Sequence, residues 1–95
     1  MNEQIIKDYE ADLSLFCGLA ADSQIEADGY NTLALKALCE ASAGAFKLAA
    51  CQMLYRLESL SPVNHPFSSL LNRDYIINTR IDIIRERRVY NVKKT

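Results

Sequence analysis

The chain has 95 residues, of which 49% are hydrophobic and 24% are charged, and its formal net charge is -1. The length excludes two independent cores, because each half would be too small to fold alone. The composition excludes a disordered chain, because the apolar content is that of a globular protein. We expect one helical domain over residues 1–95, with residues 86–95 as a frayed basic tail.

The cysteines indicate a reducing compartment, and the N-terminal sequence bears on where the protein is located. Cys17, Cys39 and Cys51 are an odd number, lie far apart, and each falls within a helical pattern where it packs as a small hydrophobe. The first ten residues contain no long apolar run. We therefore expect neither a signal peptide nor a membrane span, and we expect a cytoplasmic protein.

Charge is distributed unevenly along the chain. Residues 1–60 carry nine acidic and four basic side chains, a balance of −5, whereas residues 61–95 carry three acidic and seven basic ones, a balance of +4. Such asymmetry is typical of a surface for a polyanion or an acidic partner. It also fits two parts of one fold that attract each other, and we favour this second interpretation.

The first predicted element is an amphipathic helix over residues 3–20. Its apolar positions alternate spacings of three and four: Ile6, Tyr9, Leu13, Phe16 and Ala20. We expect this helix to end near Ala21. Ser23 and Glu26 then fit a capping box, which predicts a short separate helical turn at residues 23–28. A continuous helix through Gly29 is the alternative, at a cost of about 1 kcal/mol relative to alanine.

Residues 31–60 predict one long helix, because they contain no proline and only one glycine. Asn31 is a suitable N-cap. The charged residues form one narrow stripe, which consists of Lys36, Glu40, Lys47 and Glu58. The rest of the circumference is apolar or small, so we expect a buried central helix that contacts two neighbours. Two flanking helices would not cover it fully, which predicts a homodimer or another stable partner.

Pro62 and Pro66 break the chain after this helix. Pro66 is well placed as the first residue of a third helix. Its apolar stripe comprises Phe67, Leu70, Ile77, Ile81 and Ile84. Residues 75–84 are also rich in β-branched side chains and fit a hairpin, but an isolated hairpin is only marginally stable, so we favour a helix. The predicted fold is all-α: a small bundle of three helices, or four with the turn at 23–28, around a long buried central helix.

The residues that could perform chemistry do not form a recognisable constellation. His65 is the only histidine, and three distant cysteines do not supply a zinc pattern. A calcium loop over residues 24–35 would need carboxylates where Gln24 and Leu35 stand. We expect no enzyme, no cofactor and no metal.

The sequence therefore predicts a small cytoplasmic protein-binding factor, an adaptor, regulator or inhibitor of the kind found among bacterial and phage accessory proteins. Gln52 and Arg56 lie one turn apart and opposite the charged stripe, where they need partners. Arg56 either extends to solvent, pairs with an acidic residue of the first helix, or meets a partner. The predicted partner-binding residues are Gln52, Arg56, Arg85, Arg87 and Arg88.

Two alternatives stay open. A nucleic-acid-binding regulator would use the basic third helix to neutralise phosphates and stack a base. Its residues would be Arg80, Arg85, Arg87, Arg88, Tyr90, Lys93 and Lys94. The other alternative is a small anionic ligand that Arg56 holds at the seam of an oligomer.

Overall fold

The computed structural model describes residues 3–60 and 70–94, which form three helices and, within those ranges, no strand. Helix α1 spans Glu3–Asp28, α2 spans Leu33–Leu60 and α3 spans Leu70–Lys94. The predicted all-α bundle is confirmed, and residues 75–84 are helical rather than a hairpin. The predicted helix start at Pro66 and the lone His65 lie outside the described residues.

Helix α1 is longer than predicted, and the separate turn at residues 23–28 is wrong. Ser23 and Glu26 lie inside α1, since Ala21 and Ala27 on either side of them are buried and hold this stretch in the bundle. The helix ends at Asp28, where the Gly29 N–H donates to the Glu26 carbonyl oxygen at 3.1 Å. Tertiary burial therefore overrides the local capping signal.

The N-cap of α2 is Thr32 rather than the predicted Asn31. The Lys36 N–H donates to the Thr32 carbonyl oxygen at 3.0 Å, and α2 begins at the next residue, Leu33. The carbonyl of an N-cap residue accepts the first hydrogen bond of its helix, which identifies Thr32.

The core lies mainly on α1, and α1 and α2 form an antiparallel hairpin against which α3 packs. The buried residues of the core are Leu13, Cys17, Ala20 and Ala21 of α1, Ala50 of α2, and Ile77 and Ile81 of α3. Alanines at these contacts keep the helix axes close together, so few large side chains are needed to fill the interior. Phe16, Phe46 and Leu57 pack against its edge.

The predicted burial of α2 is not found. Only Ala43 and Ala50 are buried along this helix, whereas Leu33, Leu38 and Leu48 are 81%, 65% and 69% exposed. The charged stripe of α2 lies toward α3, because Lys47 and Glu58 form ion pairs there. The opposite, apolar side of α2 is consequently largely exposed.

Candidate interaction surfaces

Arg88 of α3 reaches across to α1 and contacts two groups there. Its Nη1 donates to the Gly18 carbonyl oxygen at 3.0 Å and to the Asp22 carboxylate. Gly18 is buried, and a Cβ added to it would lie 3.0 Å from Arg88 Nη2. The absence of a side chain at Gly18 therefore makes room for the guanidinium. We call Gly18, Asp22 and Arg88 the arginine latch.

Arg85 makes a second connection, to the end of α1. Its Nη2 lies 2.8 Å from Asp28 Oδ2, and its Nη1 lies 3.7 Å from Asp82 Oδ1. Asp28 is the last residue of α1, where a negative charge is unfavourable next to the negative end of the helix dipole. Arg85 offsets that repulsion, although both side chains remain partly solvated.

Two ion pairs join α3 to α2. Lys47 Nζ lies 2.7 Å from Asp74 Oδ1, and Arg73 Nη1 lies 2.9 Å from Glu58 Oε2. The Arg73 guanidinium also lies 5.0 Å from the centroid of the Tyr55 ring, within range of a cation–π interaction. The side chains of Arg73 and Glu58 are only 15% and 19% exposed, so this pair is better shielded from solvent than the others.

These pairs explain the charge asymmetry of the sequence. Arg85 and Arg88 bind acidic side chains of α1, and Arg73 binds one of α2, so the basic third helix attaches to the acidic first part of the chain. The expected attraction within the fold is confirmed. Both Arg85 and Arg88 have a structural role, and their predicted contact with another molecule stays a prediction.

The outer face of α3 lies opposite its buried residues. Tyr75, Ile83 and Tyr90 are 70%, 43% and 62% exposed along it, and Tyr90 also lines the groove between α3 and the C-terminal end of α1. Arg80 and Arg87 flank this row, are exposed, and form no ion pair with any described residue. Asp82 and Glu86 are exposed on the same side. Lys93 and Lys94 belong to the last turn of α3.

Gln52 and Arg56 are both exposed on α2. The Arg56 guanidinium carbon lies 5.9 Å from the centroid of the Tyr9 ring of α1. Arg56 therefore extends to solvent, as one of the three alternatives had it, and contacts an aromatic ring of the first helix rather than a carboxylate. A cation–π contact at an exposed site leaves the charge hydrated and available to another group.

The largely exposed side of α2 has a regular line of residues, which we call the α2 seam; near its C-terminal end, Tyr55 also contacts Arg73 of α3. Its members follow alternating spacings of four and three: Ala34, Leu38, Ala41, Ala45, Leu48, Gln52, Tyr55 and Ser59. All eight are exposed. At about 100° per residue they occupy an arc of about 100° directly opposite the buried Ala43 and Ala50. None of the eight is charged.

The cysteine thiols are unsuited to nucleophilic chemistry. Burial raises the pKa of Cys17 above its ordinary value, although the positive charge of Arg80 partly opposes this. Desolvation also raises the pKa of Cys39 and Cys51. Each thiol is therefore protonated near pH 7, and the reactive species, the thiolate, is scarce. Within the described ranges, the side chains of His, Cys, Asp and Glu do not assemble into a group that could hold a metal ion.

An open groove of about 680 Å³ lies between the C-terminal end of α1 and α3. Its walls combine Ile25 and Val89 with the carboxylates of Asp28, Asp82 and Glu86 and the guanidinium of Arg85. Arg85 already pairs with two of those carboxylates. Three carboxylates against one guanidinium leave the groove with a net negative charge, so it does not suit an anionic ligand.

The arginine latch and the Arg73–Glu58 pair are the contacts that sequence reasoning missed. Gly18 and Asp22 lie one helical turn apart on α1, which places a carbonyl and a carboxylate on one side, but nothing local identifies their partner. The charge asymmetry of the sequence was the available signal for these contacts. It indicated that the last part of the chain pairs with the first part, but it did not identify which residues pair.

The sequence matches no protein-family model, and neither a curated protein nor a solved structure is significantly similar to the chain. None of the helices in residues 3–60 and 70–94 combines the length and the apolar character needed to cross a membrane.

Proposed function

We propose that this chain is a small, non-enzymatic, cytoplasmic protein-binding factor, an adaptor, regulator or inhibitor that binds another protein through the outer face of α3. A bacterial or phage accessory role fits its size and single domain. The observation that carries the proposal is the row of Tyr75, Ile83 and Tyr90, which are exposed next to Arg87. Tyrosine and arginine are enriched at protein interfaces and dominate their binding energy.

The charges on this face favour a protein over a nucleic acid. Asp82 and Glu86 are exposed beside the aromatic row, and their carboxylates would repel phosphates. Arg85 and Arg88 are paired with α1 carboxylates, which lowers the positive field that a polyanion would meet. A partner with both acidic and basic side chains could pair with Asp82, Glu86, Arg80 and Arg87 together.

The absence of a catalytic role is part of the proposal. It is supported by the raised pKa values of Cys17, Cys39 and Cys51. General acid–base or nucleophilic catalysis needs a group whose pKa is brought toward the working pH. The thiols of this chain are shifted in the opposite direction.

Affinity capture from a native lysate of the source cells tests the proposal, with the Tyr75→Ala/Ile83→Ala double variant compared with the wild-type chain. Both positions are exposed on α3, so the variant should fold normally, as circular dichroism will show. The matched control is Leu15→Ala, because Leu15 is 56% exposed on α1 and far from this face. We expect wild type and control to retain a common protein that the double variant loses.

The proposal fails if no protein other than the chain itself is retained reproducibly, or if the double variant captures the same protein equally well. Binding to labelled duplex or single-stranded DNA or RNA, with an affinity that falls steeply as salt rises, would instead support the nucleic-acid alternative.

A further inference from the structure

We propose that two copies of this chain form a homodimer in which their α2 seams pack antiparallel about a two-fold axis level with position 43. The seam lies on α2, away from the α3 face assigned to another protein, so this inference is independent of the proposed function. Alternating spacings of four and three are those of the contact line between two packed helices.

The four central side chains of the seam have the same order in both directions, and beyond them Ala34 is matched by Gln52. Leu38 and Leu48 each lie five residues from position 43, and Ala41 and Ala45 each lie two residues from it. In an antiparallel pair, Leu38 therefore meets Leu48 of the partner subunit, and Ala41 meets Ala45 of the partner subunit. A two-fold interface requires one surface to be complementary to itself, and this seam satisfies that requirement. A different partner protein would not require such symmetry.

Small side chains at the centre allow the two helices to approach closely. Ala41 and Ala45 are exposed, and a Cβ added to Gly44 would meet nothing within 4 Å. Helix axes approach to about 8 Å only where the contact residues are small. The larger Leu38 and Leu48 then pack on either side of the centre, which is the arrangement of large and small residues that interdigitates.

Charge complementarity supports the same register. Arg56 lies 13 residues beyond the axis and Tyr30 lies 13 residues before it, so each Arg56 comes level with Tyr30 of the other copy, about 20 Å from the axis. Tyr30 follows the last turn of α1, where its hydroxyl donates to Glu26 and where Asp28 pairs with Arg85. The guanidinium of one copy therefore approaches the exposed carboxylate of Glu26 of the partner subunit, twice per dimer.

The available area is sufficient for a stable pair. Leu38, Leu48 and Tyr55 are 65%, 69% and 53% exposed. Together they present roughly 350 Å² per copy, and the five smaller seam residues bring this toward about 600 Å² per partner, the lower end of the range for specific interfaces. The eight seam members are uncharged, and the charged residue on the same side of α2, Arg56, lies near the C-terminal end of the helix.

Sedimentation velocity of the full chain, from about 1 to 100 µM, is the first measurement. We expect a species of twice the 10.7 kDa chain mass. Leu48→Glu should weaken association at least tenfold, because the introduced carboxylate faces Leu38 of the partner subunit, and Leu38→Glu should do the same. Leu15→Glu, an equally exposed position on α1, should leave it unchanged. Circular dichroism will establish that each variant is helical.

Cysteine cross-linking then tests the antiparallel arrangement. Ala41→Cys and Ala45→Cys proteins are mixed, oxidised, and their linked peptides mapped by mass spectrometry, which distinguishes them from links through the native cysteines. An antiparallel seam predicts that links between positions 41 and 45 dominate, whereas a parallel seam would give 41–41 and 45–45 links. A monomer at 100 µM, a dimer insensitive to Leu48→Glu and Leu38→Glu, or a majority of 41–41 and 45–45 links would each overturn the proposal.

Discussion

The arginine latch makes the effect of Gly18→Ala dependent on Arg88. An alanine inside a helix is ordinarily about 1 kcal/mol more favourable than glycine. In this fold the new Cβ would lie 3.0 Å from Arg88 Nη2, so the guanidinium must move and loosen its contacts with the Gly18 carbonyl and Asp22. A hydrogen bond from a charged donor contributes about 1.5–3 kcal/mol when shielded, and less here because Arg88 and Asp22 are 41% and 58% exposed. We expect a loss of about 1 kcal/mol, which cancels the helical gain.

The double-mutant cycle separates these two effects. Gly18→Ala should change the free energy of unfolding little in the wild-type chain, and should raise it by about 1 kcal/mol in the Arg88→Ala chain, where no guanidinium opposes the new methyl group. Urea unfolding followed by circular dichroism measures all four proteins. The protein concentration must be identical throughout, because self-association would add to the apparent stability. Equal stabilisation by Gly18→Ala in both chains would refute the proposed crowding at the latch.

Two other predictions concern an ion pair and a buried thiol. Glu58→Gln should lower the free energy of unfolding by about 1–2 kcal/mol, because the Arg73–Glu58 pair is shielded, whereas Asp74→Asn, in a more exposed pair, should cost less than about 0.5 kcal/mol. Chemical unfolding checks both, and similar effects of the two changes would contradict the ranking. Burial raises the pKa of Cys17, so above about pH 8.5 the unfolded state loses this proton before the folded state does. The stability that the Cys17 thiol contributes is therefore complete below that pH and declines above it. Between pH 8 and 10, the free energy of unfolding of the Cys17→Ala chain should consequently fall less steeply than that of the wild-type chain.

The helices themselves were predictable from periodicity and helix breakers. The spacing of Leu13, Phe16 and Ala20 correctly predicted the side of α1 that faces the core. The apolar stripe around Ile77 and Ile81 correctly predicted that α3 is a helix. The predicted end of α1 was wrong because Ser23 and Glu26 fit a good local cap. Only the tertiary contacts of Ala21 and Ala27 decide against a helix start at that point. Local signals cannot outweigh burial that depends on another helix.

The prediction that α2 is buried was wrong for a different reason. Apolar residues surround almost the whole helix, so periodicity does not say which side packs inward. The deciding contacts are Lys47 with Asp74 and Glu58 with Arg73, which connect residues far apart in the sequence. For the same reason, the sequence selected Arg85 and Arg88 as unusual residues but did not identify Asp28 and Asp22 as the groups that they bind.

The ion pairs of α3 have a consequence for how this helix is aligned. Among the α3 side chains that the structure describes, the buried apolar ones are Ile77 and Ile81, and branched aliphatic side chains tolerate a shift along a neighbouring helix. The charged groups do not, since a slide of one turn, about 5.4 Å, would separate Arg73 from Glu58 and Arg88 from Asp22 at the same time. The four charged groups therefore favour one alignment of α3 against the α1–α2 hairpin, in addition to the stability that they contribute.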